Sequence, residues 1–346
     1  CLMKIALCST SVPFVSGGYR NIVEWLEAML QEAGHAVEKV YLPMVDSPET
    51  LFEQMAAFRY LDLSMADRII CFRPQSHLIR HPHKILWFIH HIRAFYDLWG
   101  HSQYCPWPEN NKYRGVRDAL LQVDTAALKE AQKVFANSKV IANRLQHFNG
   151  IDSEVLYPPV FQPERFHWEE SNDEIVCICR LEHHKRQHLL VEAMRYTRTP
   201  VKLRLCGTGS QSYISLLTEK IAAWGLSDKI RFSPRWISEE DKVGHVNRCL
   251  AAAYMPLDED SYGYPSVEAS LAAKPVLTCA DAGGVGELVQ HGCNGFVAEP
   301  DPKAIAGMMD ALYADRQVSR AMGHNAKERL DELGISWEHV LERLLA

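Results

Sequence analysis

Short apolar runs alternate with longer segments of helical periodicity along the chain. The first apolar run covers residues 4–8, and it is followed by a polar loop. Apolar positions then recur at spacings of three and four between residues 19 and 33, and a new apolar run follows at 36–41. Buried strands that alternate with amphipathic helices are typical of a parallel sheet covered by helices, so this pattern predicts a doubly wound α/β fold.

The same alternation begins again at residue 174, after a polar segment that contains Pro163. A chain of 346 residues is also longer than one ordinary hydrophobic core requires. Both observations predict two Rossmann-like domains. The predicted boundaries are an N-terminal domain at 1–162, a linker at 163–173, a C-terminal domain at 174–325 and a terminal helical segment at 326–346.

The amino-acid composition limits the classes of protein to which this chain can belong. Apolar residues make up 47% and charged residues 23% of the chain, as in soluble globular proteins, and the net charge of -6 argues against nucleic acid as a partner. No apolar run approaches the roughly 20 residues of a membrane span. The N-terminal residues lead into a predicted strand and not into a signal peptide, and several of the ten cysteines lie in predicted strands. We therefore expect a cytoplasmic protein with buried free thiols, and peripheral association with the inner face of a membrane stays open.

The stretch from residue 251 to residue 287 contains the highest concentration of candidate functional residues. A predicted strand ends in an acidic loop with Asp260, and Gly263 and Pro265 then open a predicted helix that contains Glu268. The free N–H groups of such a helix face the edge where parallel strands end, which suits an anion. Two carboxylates at this edge suit hydrogen-bond donors such as sugar hydroxyls.

Other candidate residues follow other predicted strands. Arg180 and Lys185 come after the strand at 174–179, where two cations could hold a diphosphate. Gly207 and Gly209 follow the next strand, although two glycines alone are a weak nucleotide signal. A Gly17-Gly18 pair follows the first strand, and a tight turn explains it as well as a binding loop does.

His90 directly follows the predicted strand at 85–89, where active-site side chains of α/β proteins converge. A lone histidine at such a place is usually a packing or capping residue. A metal site is a further alternative, because five histidines lie close in sequence, although none has the H-E-x-x-H spacing. These histidines are His81, His83, His90, His91 and His101.

The acid-x7-Glu spacing of Asp260 and Glu268 encloses a Tyr-Gly-Tyr-Pro segment, and an Arg-x4-Lys pair lies upstream. Together these motifs resemble the signature of retaining GT-B glycosyltransferases of family 4, the glycogen-synthase-like glycosyl transferases group 1. The first acid of that signature is usually Glu, whereas this chain has Asp260. The resemblance implies the GT-B fold, with two Rossmann-like doubly wound domains facing a central cleft and a C-terminal helix that crosses back to the first domain.

The resemblance also implies a function. It suggests metal-independent transfer of a hexose from a nucleotide diphosphate sugar, with UDP-glucose favoured, to a hydroxyl of a glycan or glycolipid in polysaccharide biosynthesis. The catalytic residues that it implies are His90, Asp260 and Glu268. The nucleotide-sugar-binding residues that it implies are Gly17, Gly18, Arg180, Lys185, Gly207, Gly209, Trp236, Ile237, Ser261, Tyr262, Gly263, Tyr264 and Glu268.

Two other functions stay open at this point. A GT-B sugar-nucleotide epimerase shares the architecture, but the Arg-x4-Lys and acid-x7-Glu motifs argue against it. A catalytically silent sugar-nucleotide-binding or scaffold protein is favoured by one feature, which is Asp260 in the place of the usual Glu.

Overall fold

The strands of this computed structural model form two parallel sheets of six strands each, within the described residues 2–14 and 18–346. The chain divides into two units around these sheets. One unit is Cys1–Pro158 together with Trp337–Ala346, and the other is Pro159–Ser336. The predicted α/β class with two doubly wound sheets is confirmed.

The first unit has the strand order β2-β1-β3-β4-β5-β6, and every neighbouring pair is parallel. Helices alternate with these strands, as the apolar pattern predicted. Its elements up to Pro158 are β1 (Lys4–Ser11), α1 (Gly18–Glu32), β2 (Ala36–Pro43), α2 (Leu51–Arg59), β3 (Arg68–Cys71), β4 (Lys84–Phe88), α3 (Asn111–Lys129), β5 (Lys133–Ala136), α4 (Lys139–Asn149) and β6 (Glu154–Val155).

The second unit has the strand order β12-β11-β10-β7-β8-β9, again with parallel neighbours. Its buried core is dominated by aliphatic side chains of the strands and of the helices that cover them. Its elements are β7 (Glu174–Ile178), α5 (Gln187–Ala193), β8 (Lys202–Cys206), α6 (Gln211–Ala223), β9 (Ile230–Ser233), α7 (Glu239–Arg248), β10 (Ala251–Ala253), α8 (Tyr264–Leu271), β11 (Val276–Cys279), α9 (Val285–Leu288), β12 (Gly295–Ala298), α10 (Pro302–Ala314) and α11 (Arg316–Glu332).

The last helix, α12 (Trp337–Leu345), returns to the first unit. Its buried side chains are Trp337, Val340 and Leu344, spaced three and four residues apart on one face. They share a core cluster with Ile5 and Leu7 of β1. The expected return of the C-terminal helix to the first domain is confirmed, and its driving force is the burial of this apolar face.

The observed unit boundaries differ from the predicted domain boundaries at 162, 173 and 325. The predicted linker at 163–173 belongs to the second unit, because its backbone is held there. Glu169 N donates to the carbonyl of Asn247 at 3.1 Å, and the buried Lys274 ammonium donates to the carbonyl of Glu169 at 2.7 Å. Residues 326–336 also belong to the second unit, where α11 packs against α8.

Helix α3 begins at Asn111, far before the helix that the apolar pattern predicts at 125–133. Its N-cap is Asn110, whose side chain accepts a hydrogen bond from Tyr113 N. The apolar periodicity of α3 is interrupted because one of its inward-facing positions is occupied by a charged residue, Asp124, which is 3% exposed. That carboxylate is bound by His77 Nε2 at 2.8 Å and by Tyr96 OH at 2.5 Å, and only the tertiary structure supplies these partners.

Candidate functional site

Four loops of the second unit meet at the carboxyl edge of its sheet, because they follow the parallel neighbours β7, β8, β10 and β11. The carboxyl ends of parallel strands lie along one edge, where α/β proteins bind ligands. Arg180 and Lys185 lie after β7, Gly207 and Gly209 after β8, and Asp260 after β10. The structure therefore brings these predicted site residues to the same edge.

The loops after β10 and β11 are joined by backbone hydrogen bonds. Asp258 N donates to the carbonyl of Asp281 at 2.9 Å, and Gly284 N donates to the carbonyl of Glu259 at 2.9 Å. A Cβ on Gly283 would lie 2.4 Å from the Glu259 carbonyl oxygen, and the φ of Gly283 is 67°. Glycine is therefore required here so that the two loops can approach closely, and this contact shapes the loop that carries Asp260.

The loops after β7 and β8 are joined in the same way. Leu181 N donates to the carbonyl of Thr208 at 2.8 Å. A Cβ on Gly207 would lie 1.9 Å from the carbonyl oxygen of Cys179, and a Cβ on Gly209 would lie 2.2 Å from that of Leu181. The two glycines thus hold the Arg180 segment in place by backbone packing, and their predicted contact with a bound nucleotide stays a prediction.

Lys185 lies at the centre of this edge. Its ammonium contacts the Glu259 carboxylate and donates to Tyr254 OH at 2.9 Å, while 16% of its side chain is exposed. Burial by itself lowers the pKa of Lys185, but the interactions with Tyr254 and Glu259 outweigh it and raise that pKa above its ordinary value. The residue is thus a fixed cation. Glu259 was not among the predicted site residues, although it belongs to the acidic run before Ser261.

Arg186 ties three of the loops together, and sequence reasoning missed it. Its Nε donates to the carbonyl of Met255 at 2.8 Å, and its two terminal nitrogens bind the carboxylate of Asp281 at 2.8 and 2.6 Å. Hydrogen bonding to Arg186 lowers the pKa of Asp281. The available signal was a second cation next to Lys185 and an acid directly after the predicted strand β11.

Helix α8 presents the predicted Glu268. Gly263 precedes the helix with a φ of 72°, and Pro265 lies in its first turn, as predicted. Glu268 is 6% exposed, and its Oε2 lies 2.9 Å from the ammonium of Lys242 on α7. Burial raises the pKa of Glu268, and Lys242 opposes this effect. Lys242 is a further residue that the sequence did not indicate.

The remaining predicted residues of the second unit differ in accessibility. Trp236 is 74% exposed on the loop between β9 and α7, so its ring is available to a ligand. Tyr262 is only 1% exposed, so its ring belongs to the protein interior and only its backbone can contact a ligand. Arg180 is largely exposed and lies 2.8 Å from Glu182. Asp260, Ser261, Tyr264 and Ile237 are half-buried.

Three predicted residues belong to the first unit. His90 follows β4 and is half-buried, and its Nδ1 lies 2.7 Å from the carbonyl oxygen of His91. His91 itself is buried, with Nε2 2.7 Å from Asn149 Oδ1, so His90 is the more accessible of the two histidines. Gly18 is the first residue of α1, whereas Gly17 lies outside the described residues. Their ligand contacts stay predictions.

Two further questions from the sequence concern metal ions and membranes. In residues 2–14 and 18–346, no group of three or more His, Cys, Asp or Glu side chains could hold a metal ion. Within the same ranges, every helix is too short or too polar to cross a membrane. Among the described cysteines, Cys8, Cys71, Cys177, Cys206 and Cys279 are buried free thiols, as their placement in strands predicted.

The fold is shared with a solved protein structure. The crystal structure of Anabaena Alr3699/HepE superimposes with a TM-score of 0.72, covering 99% of this chain and 100% of that one at 20% identity. Two α/β units with this arrangement of strands define the class of GT-B proteins. The GT-B fold expected from the motifs is confirmed.

The particular family follows from the sequence of the second unit. Residues 161–329, which make up most of the second unit, match the model of glycosyl transferases group 1. The chain is 23% identical to N-acetyl-alpha-D-glucosaminyl L-malate synthase of Bacillus anthracis over 95% of its length and 93% of that protein. It is 22% identical to O-antigen chain mannosyltransferase C of Escherichia coli, but over only 51% of this chain and 47% of that protein. The expected family and the expected enzyme class, a glycosyltransferase, are confirmed.

Proposed function

We propose that this chain is a retaining glycosyltransferase that moves a hexose from a UDP-sugar, with UDP-glucose favoured, to a hydroxyl of a glycan or glycolipid acceptor in polysaccharide biosynthesis. The observation that carries the proposal is the joined edge of the second sheet, where the fixed cation Lys185 and the buried carboxylate Glu268 lie on loops and a helix held by shared backbone contacts. Support comes from Alr3699/HepE, which was crystallised in complex with UDP and with UDP-glucose.

Each part of the donor has a matching partner at this edge. Arg180 and Lys185 bind the diphosphate, with backbone N–H groups at the start of α8 adding to them. Glu268 accepts hydrogen bonds from ribose hydroxyls, and the exposed ring of Trp236, next to Ile237, stacks on the base. Asp260 orients the transferred sugar.

The reaction needs no group beyond donor and acceptor. The acceptor hydroxyl oxygen forms a bond to the anomeric carbon on the face that the diphosphate leaves. The bond between that carbon and the phosphate oxygen breaks, its electron pair stays with the diphosphate, and the acceptor proton passes to the leaving phosphate oxygen. Lys185 and Arg180 stabilise the charge that develops there, and His90 contacts the sugar near the reacting carbon.

Glu268→Gln is expected to weaken UDP binding about tenfold, because an ionised acceptor of ribose hydroxyls becomes a neutral amide. Asp260→Asn is expected to leave UDP affinity unchanged and to lower kcat, because Asp260 orients only the transferred sugar. Calorimetric titration with UDP, GDP and ADP, together with product analysis using UDP-glucose, measures both effects. A parent protein that binds no nucleoside diphosphate would contradict the proposal. A parent that binds UDP but neither transfers nor hydrolyses glucose would support a silent binding protein, and a free epimerised sugar nucleotide would support an epimerase.

Activity is expected to persist in EDTA. The physical reason is that Arg180, Lys185 and the N–H groups at the start of α8 supply the positive potential that a divalent cation would otherwise supply at the diphosphate. Transfer rates are measured before and after dialysis against EDTA, with and without added magnesium or manganese. Loss of activity that either metal restores would show that the leaving group is stabilised by a metal ion.

A further inference from the structure

A row of alternating charges leads from the surface of the second unit to Glu268. Arg165 lies 3.1 Å from the carboxylate of Glu239, and Glu239 lies 3.0 Å from the ammonium of Lys242. Lys242 in turn lies 2.9 Å from Glu268 Oε2. The exposed fraction of the side chain falls from 62% at Glu239 to 21% at Lys242 and 8% at Glu268. The buried end of this row is the carboxylate that the proposed function assigns to the ribose.

The two helices that carry the inner pair are fixed at their N-termini. Ser238 caps α7 by accepting a hydrogen bond from Asp241 N at 3.0 Å, and Gly263 sets the start of α8. The helices also pack against each other. Lys242 and Glu268 are therefore held in register by backbone on both sides, and the pair does not depend on a mobile loop.

The ion pair with Lys242 uses one carboxylate oxygen of Glu268, Oε2, at 2.9 Å, and leaves Oε1 outside that pair. A carboxylate oxygen can accept two hydrogen bonds, and vicinal hydroxyls supply two donors. Oε1, which the ion pair does not use, thus matches the donor pattern of a ribose.

We propose that Lys242 is a positioning residue for nucleotide recognition, which pairs with Oε2 and keeps Glu268 ionised, so that Oε1 accepts from the ribose hydroxyls of the donor. The inference rests on the proposed function, because it assigns a partner to that same site. Lys242 does not touch the reacting atoms. Its effect is on affinity for the nucleotide and not on the chemical step.

The charged groups around Glu268 set the sign of the pH dependence. Burial has the largest effect and raises the pKa of Glu268, and Glu239 on α7 raises it as well. Lys242 on α7 and Arg165, which lies in the turn that packs on α8, lower this pKa. Tyr264 lies on the same helix, and burial raises its own pKa beyond the range of interest. On the neighbouring α11, the positive charges of Arg316 and Arg320 lower the pKa of Lys274. Loss of Lys242 therefore raises the pKa of Glu268 further, and the protonated carboxyl loses its strength as an acceptor.

The test is calorimetric titration of Lys242→Met and Lys242→Gln with UDP at several pH values. UDP itself changes protonation over this pH range. Because this affects both proteins equally, it cancels in the ratio of the variant Kd to the parent Kd. We expect this ratio to rise from near unity at about pH 9 to about tenfold at about pH 6, while kcat at saturating donor stays unchanged. Lys242→Arg keeps the charge and should restore the parent profile. Lys220→Met, on α6 with its ammonium over the Trp224 ring, is the matched control and should leave the ratio at unity.

A double variant tests whether Lys242 acts through the Glu268 carboxyl. In a Glu268→Gln background, Lys242→Met should cause no further loss of UDP affinity, because the carboxyl that it acts on has been removed. A loss that is independent of pH, or that persists in that background, would overturn the positioning role and leave a structural ion pair. A parent protein without affinity for UDP would instead overturn the proposed function, so the two failures are distinguishable. If Lys242→Met does not fold, Lys242→Gln carries the same expected pH signature.

Discussion

Lys185→Ala is expected to weaken UDP binding by about 3 kcal/mol, or about a hundredfold, because charge-assisted hydrogen bonds to phosphate are lost. The loss has a second source in the structure. Glu259 contacts the Lys185 ammonium, so without this cation its carboxylate faces the diphosphate uncompensated. Arg180→Ala should cost less, since 61% of the Arg180 side chain is exposed to solvent.

Calorimetric titration with UDP measures this loss, and the double variant Lys185→Ala/Glu259→Gln is its control. Removal of the carboxylate together with the ammonium should recover part of the affinity, because the repulsion is gone although the attraction is still missing. If Lys185→Ala binds UDP as the parent does, while Glu268→Gln does not, the diphosphate must lie away from the loop after β7. If the double variant recovers nothing, the repulsive contribution of Glu259 is refuted.

Gly263→Ala is expected to destabilise the protein by about 2 to 4 kcal/mol through backbone strain and overpacking. Its φ of 72° suits glycine, and an added Cβ would lie 2.2 Å from Cε1 of Tyr254. The Tyr254 ring is 4% exposed, and its hydroxyl accepts from Lys185 at 2.9 Å. The ring cannot move aside without displacing Lys185, so UDP affinity should fall together with stability.

Urea unfolding of the parent and the variant measures the change in the free energy of unfolding. Gly286→Ala is the matched control, because nothing lies within 4 Å of an added Cβ there and the residue belongs to α9. This control should be neutral or slightly stabilising, since alanine favours a helix. Equal stability of Gly263→Ala and the parent would show that the loop before α8 relaxes without cost, and its role in placing Lys185 would then be withdrawn.

Signals that depend on local sequence were sufficient for much of this fold. The terminal segment was predicted to be helical, and α12 lies within it at Trp337–Leu345, because burial of one helix face needs only the correct spacing along the chain. A serine before a run of acidic residues is a local signal for a helix start, and the side chain of Ser238 does cap α7 by accepting from Asp241 N. Helix caps and amphipathic helix faces depend only on residues that are close in sequence, so the sequence alone determines them.

Local signals failed where distant residues decide the outcome. The apolar run at 251–257 predicted one long strand, but β10 ends at Ala253. Beyond it, the carbonyls of Met255 and Pro256 accept from the Arg186 guanidinium, so they do not extend the ladder. Helix α3 was predicted too short for a related reason, since the partners of its buried Asp124 are distant in sequence.

The sequence by itself determined the family, the two α/β units and the positions of the motif residues at strand ends, because each of these depends on spacing along the chain. Only the tertiary structure decided which charges meet. Lys185 meets Glu259 across 74 positions, Arg186 meets Asp281 across 95, and Lys242 meets Glu268 across the boundary between two helices. These pairings depend on how parallel strands and their loops align at one sheet edge, and the apolar periodicity of a single element contains no information on that alignment.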